Sequence, residues 1–241
     1  MIQPGNAGDA VINYSTLELF KDLNIKYKII NKGKYKNKNI IISGGGNFVN
    51  HYNDVNKFIQ NNHEYNNILL LPCTINNHIN TLKKLKNNIN IFVREKKSYD
   101  HVLKYFKYPK NLFLSDDMAF YININKFIKY NNNNNEKYDI LNAFRTDIEK
   151  TNIKIPKNNI DISKKFEIPN YWENENLIYI VAMNFINYIN NFKLVNTNRL
   201  HVGIISTLLI KEVNLYDNNY GKNNDVYNFS MKNKYKNIKF I

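Results

Sequence analysis

The chain of 241 residues has a formal net charge of +14, is 43% hydrophobic and contains one cysteine. These values exclude an intrinsically disordered chain and an internal disulfide. No apolar run approaches the roughly 20 residues that cross a bilayer, and no charged-then-apolar leader opens the chain, so we expect a soluble, cytoplasmic protein without a membrane span.

The positive charge is a poor indicator of nucleic-acid binding in this chain. Asparagine makes up about a fifth of the residues, and lysine is abundant, whereas arginine stands only at positions 94, 145 and 199. AT-rich codons favour this composition, and the lysines are spread along the chain, so no nucleic-acid partner is expected. In such a composition, arginine is expected only at sites where lysine cannot replace it. These sites need a planar, bidentate donor for carboxylate or phosphate.

Helical and strand periods alternate along the first half of the chain. An amphipathic helix is predicted at 8–22, and a second opens after Gly44-Gly45-Gly46 and continues to about 61. The other predicted elements are strands at 26–30, 39–43, 67–71, 90–94 and 111–114, and helices at 76–87 and 96–106. This alternation is typical of a mostly parallel sheet covered by helices on both faces.

An asparagine-rich stretch at 131–137 predicts a linker between an N-terminal domain at 1–130 and a C-terminal domain at 138–241. The predicted elements beyond the linker are strands at 139–144, 193–197 and 212–216, and helices at 172–191 and 200–210. We therefore predict an α/β fold with two Rossmann-like halves facing each other across a cleft. Ligands of such sheets bind beyond the carboxyl ends of the strands, so candidate residues are those that follow a strand.

The first candidate segment lies at the start of the first predicted helix and contains Gly5, Asn6, Gly8 and Asp9. Glycine allows a ligand to approach the backbone, and a helix start offers N–H groups to an anion. An ordinary helix cap made by Asp9 is the alternative interpretation.

Three further candidates follow predicted strands of the N-terminal half. Gly44, Gly45 and Gly46 predict either a backbone nest for a phosphate or sugar or a tight turn, without the spacing of a dinucleotide-binding motif. Arg94 predicts either a substrate contact or a local ion pair with Glu95. Asp116-Asp117 predicts helix capping rather than a metal site, because no companion ligand lies at a suitable spacing.

Three cations follow three successive predicted strands of the C-terminal half: Arg145, Arg199 and Lys222. We expect them to converge, because the carboxyl ends of parallel strands meet at one edge of a sheet. His201 lies beside Arg199 at the start of a helix and is the candidate proton donor. The residues predicted to lack a catalytic role are the surface histidines His51, His63, His78 and His101, and Cys73.

Taken in order, these segments resemble the polysaccharide pyruvyl transferase family. The matching segments are GNAGDAVI (5–12), SGGGNF (43–48), FVRE (92–95), LSDDMAF (114–120), FRTDIE (144–149), TNRLH (197–201) and YDNNYGKNNDVY (216–227). The combination of RLH followed by DNNYGK is the most specific of these similarities.

The resemblance implies a two-domain fold of the glycosyltransferase B type, with phosphoenolpyruvate as the donor substrate and a sugar or glycan as the acceptor. The product would be a pyruvate ketal, and no metal or other cofactor is implied. Arg199 and His201 would be catalytic, and Arg145 and Lys222 would bind the donor. The family usually has a strand ahead of the GNxGD segment, so the N-terminal domain, the expected acceptor side, would lack its first strand. A nucleotide-sugar glycosyltransferase of similar fold and an inactive glycan-binding relative are the alternatives.

Overall fold

The computed structural model describes residues 5–30, 32–128 and 137–241, which form two compact units. Among these residues, the first unit contains Phe20–Met118, and the second contains 5–19 together with Ala119–Ile241. Most of the first helix thus groups with the second unit, whereas the sequence assigned it to the N-terminal domain. The predicted linker at 131–137 lies, except for its last residue, outside the described residues.

The first unit is built on a five-stranded parallel sheet. Four of its strands follow the order β1-β3-β4-β5, and β2 lies off this path and pairs with β3. The strands are β1 (Asn39–Ile42), β2 (Gly45–Phe48), β3 (Asn67–Ile75), β4 (Ile89–Val93) and β5 (Leu112–Leu114). β3 is long enough to pair with β1 along its first half and with β2 near its end. Buried isoleucine, leucine and valine fill these strands, as expected for a parallel sheet that is covered on both faces.

Two predicted elements of the first unit are wrong. The strand predicted at 26–30 is absent there, and the helix expected directly after Gly44-Gly45-Gly46 begins only at Asp54. Gly45 and Gly46 belong to β2 instead, because this segment pairs with β3. Gly44 lies so close to the backbone that a Cβ there would be 2.3 Å from the Pro72 carbonyl oxygen, which only glycine avoids.

The second unit is built on a four-stranded parallel sheet with the order β6-β7-β8-β9. The strands are β6 (Tyr138–Ala143), β7 (Phe192–Thr197), β8 (Glu212–Leu215) and β9 (Ile238–Phe240), of which β9 was not predicted. The α-helices of the two units, within the described residues, are α1 (Ala7–Asp22), α2 (Asp54–Asn62), α3 (Ile79–Lys84), α4 (Lys96–Tyr105), α5 (Asn125–Ile128), α6 (Ile162–Lys165), α7 (Glu175–Asn190), α8 (Leu200–Leu208) and α9 (Lys222–Val226). The predicted α/β class with parallel sheets is confirmed.

α7 and α8 cover the apolar face of this second sheet. Ile178, Val181 and Phe185 lie at helical spacing on α7 and are completely buried, as are Val202 and Ile205 of α8. The two helices pack against β7 and β8, two of the strands whose carboxyl ends carry the candidate site. Among the described residues, no helix is long and apolar enough to cross a membrane.

Candidate active site

The carboxyl ends of β6, β7 and β8 bring the three predicted cations to one edge of the second sheet. The strands are parallel neighbours, with Asn142 paired to Asn196 and Asn196 paired to Asn214. Arg145 follows β6 by two residues, Arg199 follows β7 by two residues, and Lys222 begins α9 after the loop that leaves β8. The side chains of all three are almost completely buried.

Asp147 joins the two arginines. Its carboxylate accepts two hydrogen bonds from Arg145, at 2.7 Å from Nε and 3.1 Å from Nη2, which is the bidentate geometry of a guanidinium fork. Oδ2 of Asp147 also lies 2.9 Å from Nη1 of Arg199. One carboxylate therefore occupies the space between two guanidinium groups from different strand ends.

Glu149 and Asp161 extend this connection to a network of six charged groups. Arg145 Nη1 and Lys222 Nζ lie 2.5 Å and 3.0 Å from the same oxygen, Oε2 of Glu149. Arg199 donates from Nε and Nη2 to the two carboxylate oxygens of Asp161, at 3.0 Å and 2.6 Å. Three cations and three carboxylates thus alternate in one chain of ion pairs, which is neutral as it stands.

Sequence reasoning missed all three of these carboxylates. Asp147 and Glu149 stand in FRTDIE, the same segment that pointed to Arg145, so their alternation with that arginine was the available signal. Asp161 lies 38 residues before Arg199 and belongs to none of the matching segments. Only the folded chain brings Asp161 and Arg199 together.

The network favours the charged forms of three of its members, Arg145, Asp147 and Glu149. Burial raises the pKa of Glu149, but the positive charges of Lys222 and Arg145 outweigh burial and hold this pKa well below its usual range. Burial also raises the pKa of Asp147, but the hydrogen bonds from Arg145 and the charge of Arg199 outweigh it, so this pKa too lies below its usual value. Burial alone would lower the pKa of Arg145, yet its bonds to Asp147 and the charge of Glu149 raise it. These three groups are therefore ionised at neutral pH.

His201 lies in the first turn of α8 and meets the N-terminal glycine segment within the second unit. A Cβ on Gly8 would be 2.8 Å from Nδ1 of His201 and 3.1 Å from its Cβ. Glycine at this position therefore makes room for the imidazole. Two matching segments about 190 residues apart, GNAGDAVI and TNRLH, thus meet at Gly8 and His201.

The start of α1 is a reciprocal helix cap. The Asn6 side chain accepts a hydrogen bond from the Gly8 N–H, and the Asp9 side chain accepts one from the Asn6 N–H, both at 2.9 Å. The N–H groups of Asp9 and Ala10 donate to the Asn6 carbonyl oxygen. A Cβ on Gly5 would be 2.1 Å from the Asp9 carboxylate, so Gly5 leaves space for the cap. This geometry matches the capping interpretation of the segment.

The other predicted site residues belong to the first unit, and Arg94 is buried there. Its Nη1 lies 2.5 Å from Asp117, and its Nε lies 3.0 Å from Thr74 Oγ1 and 3.8 Å from Glu95. Asp117 is therefore an ion-pair partner of Arg94, a contact that the sequence did not predict. The predicted surface position of His63 is wrong, because this side chain is buried.

A pocket of about 870 Å³ lies in the first unit, away from any predicted site residue. Four of its lining residues are lysines, namely Lys83, Lys84, Lys86 and Lys107. The lining segments precede β3, β4 and β5, so the pocket lies at the amino ends of the strands. Ligands of α/β sheets bind at the opposite edge, so the charged network is the better candidate site. Within the described ranges, no three His, Cys, Asp or Glu side chains form a group that could hold a metal ion.

Comparison with known proteins agrees with the arrangement of these motifs. The family model for polysaccharide pyruvyl transferase matches residues 6–220. The chain belongs to the polysaccharide pyruvyl transferase family. It is 27% identical to "Putative pyruvyl transferase EpsO" of Bacillus subtilis (strain 168) over 270 residues, which cover 95% of this chain and 83% of that relative.

A crystal structure of a functionally uncharacterized protein from Klebsiella pneumoniae subsp. pneumoniae NTUH-K2044 has a similar fold. It is 34% identical in sequence, with a TM-score of 0.82, and the similarity covers 100% of this chain and 90% of that one. The transferase family match extends from the α1 cap past Arg145 and Arg199 to residue 220, two residues before Lys222.

Proposed function

We propose that this chain transfers the enolpyruvyl group of phosphoenolpyruvate to hydroxyl groups of a sugar or glycan and forms a pyruvate ketal. One observation carries the proposal beyond family membership. Arg145, Arg199 and Lys222, from the ends of three neighbouring strands, join in one buried network, with His201 two residues after Arg199. Such a set of cations suits a small molecule that carries both a carboxylate and a phosphate.

The donor has to compete with the carboxylates that already neutralise these cations. Asp147 is the most exposed of the three, with 21% of its side chain accessible, against 4% for Glu149 and 7% for Asp161. In the proposed complex, the carboxylate of phosphoenolpyruvate takes the place of Asp147 between the two arginine forks. The phosphate then lies toward Lys222, which acts as a compact point charge.

The reaction begins with a proton transferred to the methylene carbon of phosphoenolpyruvate, which leaves an oxocarbenium-like centre at C2. A sugar hydroxyl attacks C2 and loses its proton, and the C2–O bond to phosphate then breaks with its electron pair on the departing phosphate. A second hydroxyl attacks the same carbon, loses its proton to the departing phosphate and closes the ketal, so the products are the ketal and inorganic phosphate. In this proposal His201 supplies the first proton, because an imidazole suits proton transfer near neutral pH, an effect worth about 10²–10⁴-fold in rate.

Three finer points belong to the same proposal. The two units would form a fold of the glycosyltransferase B type, since each contains a parallel sheet flanked by helices. The first unit would bind the acceptor, and the reaction would take place in the cytoplasm without a metal or other cofactor.

The test is to incubate the chain with phosphoenolpyruvate and a panel of nucleotide-linked and lipid-linked sugars. We expect release of inorganic phosphate together with a pyruvate adduct detected by mass spectrometry. His201→Ala should lower transfer at least about 100-fold, because it removes the proton donor. Phosphoenolpyruvate binding, measured by calorimetry, should persist in this variant.

Three outcomes would contradict the proposal or a part of it. Thermal stabilisation by UDP or GDP without stabilisation by phosphoenolpyruvate would indicate a nucleotide-sugar glycosyltransferase. Wild-type turnover in His201→Ala would remove this residue from the mechanism. Binding of a glycan with no phosphate release would indicate an inactive relative.

A further inference from the structure

One oxygen of Glu149 accepts hydrogen bonds from three side chains that belong to two loops. Oε2 of Glu149 accepts from Arg145 Nη1 at 2.5 Å, from Lys222 Nζ at 3.0 Å and from Asn218 Nδ2 at 3.1 Å. The side chain is almost completely buried, with 4% exposed. A buried carboxylate with these partners is surrounded by positive charge and neutral donors on the side that faces the network.

The backbone around Glu149 ties the same two loops together. The carbonyl oxygen of Glu149 accepts from the Asn219 N–H at 3.2 Å, and the Asn218 side chain accepts from the Lys222 N–H at 2.9 Å. The loop after β6, which carries Arg145, is thereby fixed to the loop after β8, which carries Lys222. Glu149 makes this connection through both its side chain and its backbone carbonyl group.

We propose that Glu149 is a positioning residue of the donor site, which holds the guanidinium of Arg145 and the ammonium of Lys222 at a fixed separation. If that oxygen lost its negative charge, nothing would offset the repulsion between the two cations that contact it. Glu149 does not touch the donor, because a carboxylate repels an anionic substrate, and it acts only through the two cations. This role rests on the proposed function of the same site.

Two substitutions separate the charge of Glu149 from its reach. Glu149→Gln keeps the length of the side chain and removes the charge, whereas Glu149→Asp keeps the charge and is one methylene shorter. We expect both variants to lower kcat at least about tenfold, since a small misplacement of a binding group is costly in catalysis. Only Glu149→Gln should bind phosphoenolpyruvate more tightly, by a few fold, because the site gains one net positive charge.

The readouts are kcat, the Kd of phosphoenolpyruvate and the binding stoichiometry from calorimetry, measured on the full chain. Asp139→Asn is the control, because Asp139 lies in the same unit in an exposed pair with Lys193, 84% of its side chain being accessible. This control should match the wild type in all three quantities. Inorganic phosphate is titrated in parallel as a second anion.

The outcomes separate a failure of this role from a failure of the proposed function. Wild-type kcat in both Glu149 variants would overturn the positioning role. So would a loss of turnover that merely follows a loss of binding stoichiometry, because that pattern indicates unfolding. Wild-type protein that binds phosphate but neither binds nor turns over phosphoenolpyruvate would contradict the proposed function, while the phosphate affinities of the variants would still measure the effect of Glu149.

Discussion

Gly8 is the glycine whose replacement would act directly on a candidate catalytic residue. Its missing Cβ leaves the space taken by the imidazole of His201. Gly8→Ala should therefore displace His201 and lower kcat at least about tenfold. Alanine is a better helix former than glycine by about 1 kcal/mol, and a histidine side chain can shift, so the melting temperature should not fall.

Gly203→Ala is the matched control for this substitution. Gly203 is a helical glycine of the second unit, and its new Cβ would meet Cδ1 of Leu215 at 3.0 Å rather than a candidate catalytic residue. We expect it to alter stability by packing while kcat changes less than about twofold. Equal kcat values for Gly8→Ala and the wild type would show that the position of His201 does not depend on Gly8.

The three arginines show what composition predicted and what it missed. Arg145 and Arg199 each make a bidentate contact, as expected for arginines retained in a lysine-rich chain. Arg94 is equally buried but binds Asp117 and Thr74 inside the first unit. Composition identified residues that need a guanidinium group, but it gave no information on whether the partner is a ligand or a carboxylate of the chain.

The strands and helices that hold the candidate site were predicted well because their apolar periods are strong. β6, β7 and β8, with α7 and α8, begin and end within a few residues of the predicted bounds. β2 and β9 were missed, since β2 is rich in glycine and β9 has only three residues. Such short segments are defined by their pairing with a neighbour, which a local pattern does not contain.

An asparagine ladder across the second sheet was also missed. Asn196 Nδ2 donates to Asn142 Oδ1 and Asn214 Nδ2 donates to Asn196 Oδ1, each at 2.9 Å. The abundance of asparagine was attributed to codon bias, and the register that aligns these three residues exists only in the folded sheet. Codon bias supplied many asparagines, and the sheet uses these three as cross-strand pairs.

Replacing the central member tests this ladder. Asn196→Ala removes both bonds and leaves a donor and an acceptor without their partners, so the free energy of unfolding should fall by about 1–2 kcal/mol. Urea denaturation measures this difference. Asn233→Ala, at an exposed turn of the same unit, is the control and should change stability by less than about 0.5 kcal/mol. Equal losses in both variants would show that the ladder contributes nothing to stability.

At the scale of the whole molecule, a strongly basic chain depends on a small set of buried carboxylates. The sequence has 34 lysine and arginine residues against 20 aspartate and glutamate residues. Protonation of the acids therefore adds to an already large positive charge and destabilises the folded state by repulsion. Loss of the charges on Asp147 and Glu149 has a further local effect, because it leaves Arg145 and Lys222 buried without counter-ions.

The pH dependence of stability should reveal this local contribution. The folded chain holds the pKa values of Glu149 and Asp147 below their usual ranges, so the unfolded chain takes up protons first as the pH falls. The stabilisation from these two groups is therefore complete above about pH 5 and is lost progressively as the pH falls toward their folded-state pKa values. Arg145, whose pKa is raised, remains charged throughout this acidic range.

Urea denaturation of the wild type and of Asp147→Asn/Glu149→Gln between pH 7 and pH 3 separates the local effect from general repulsion. Both proteins lose stability in acid through their overall charge, but only the wild type also loses the contribution of the two ionised carboxylates. The stability difference between them should thus be largest near pH 7 and shrink below about pH 5. Asp139→Asn removes an exposed carboxylate from the same unit, and its difference from the wild type should stay nearly constant. Parallel curves for the double variant and the wild type would mean that the folded network does not lower the pKa values of Asp147 and Glu149, and the buried cations would then need another source of compensation.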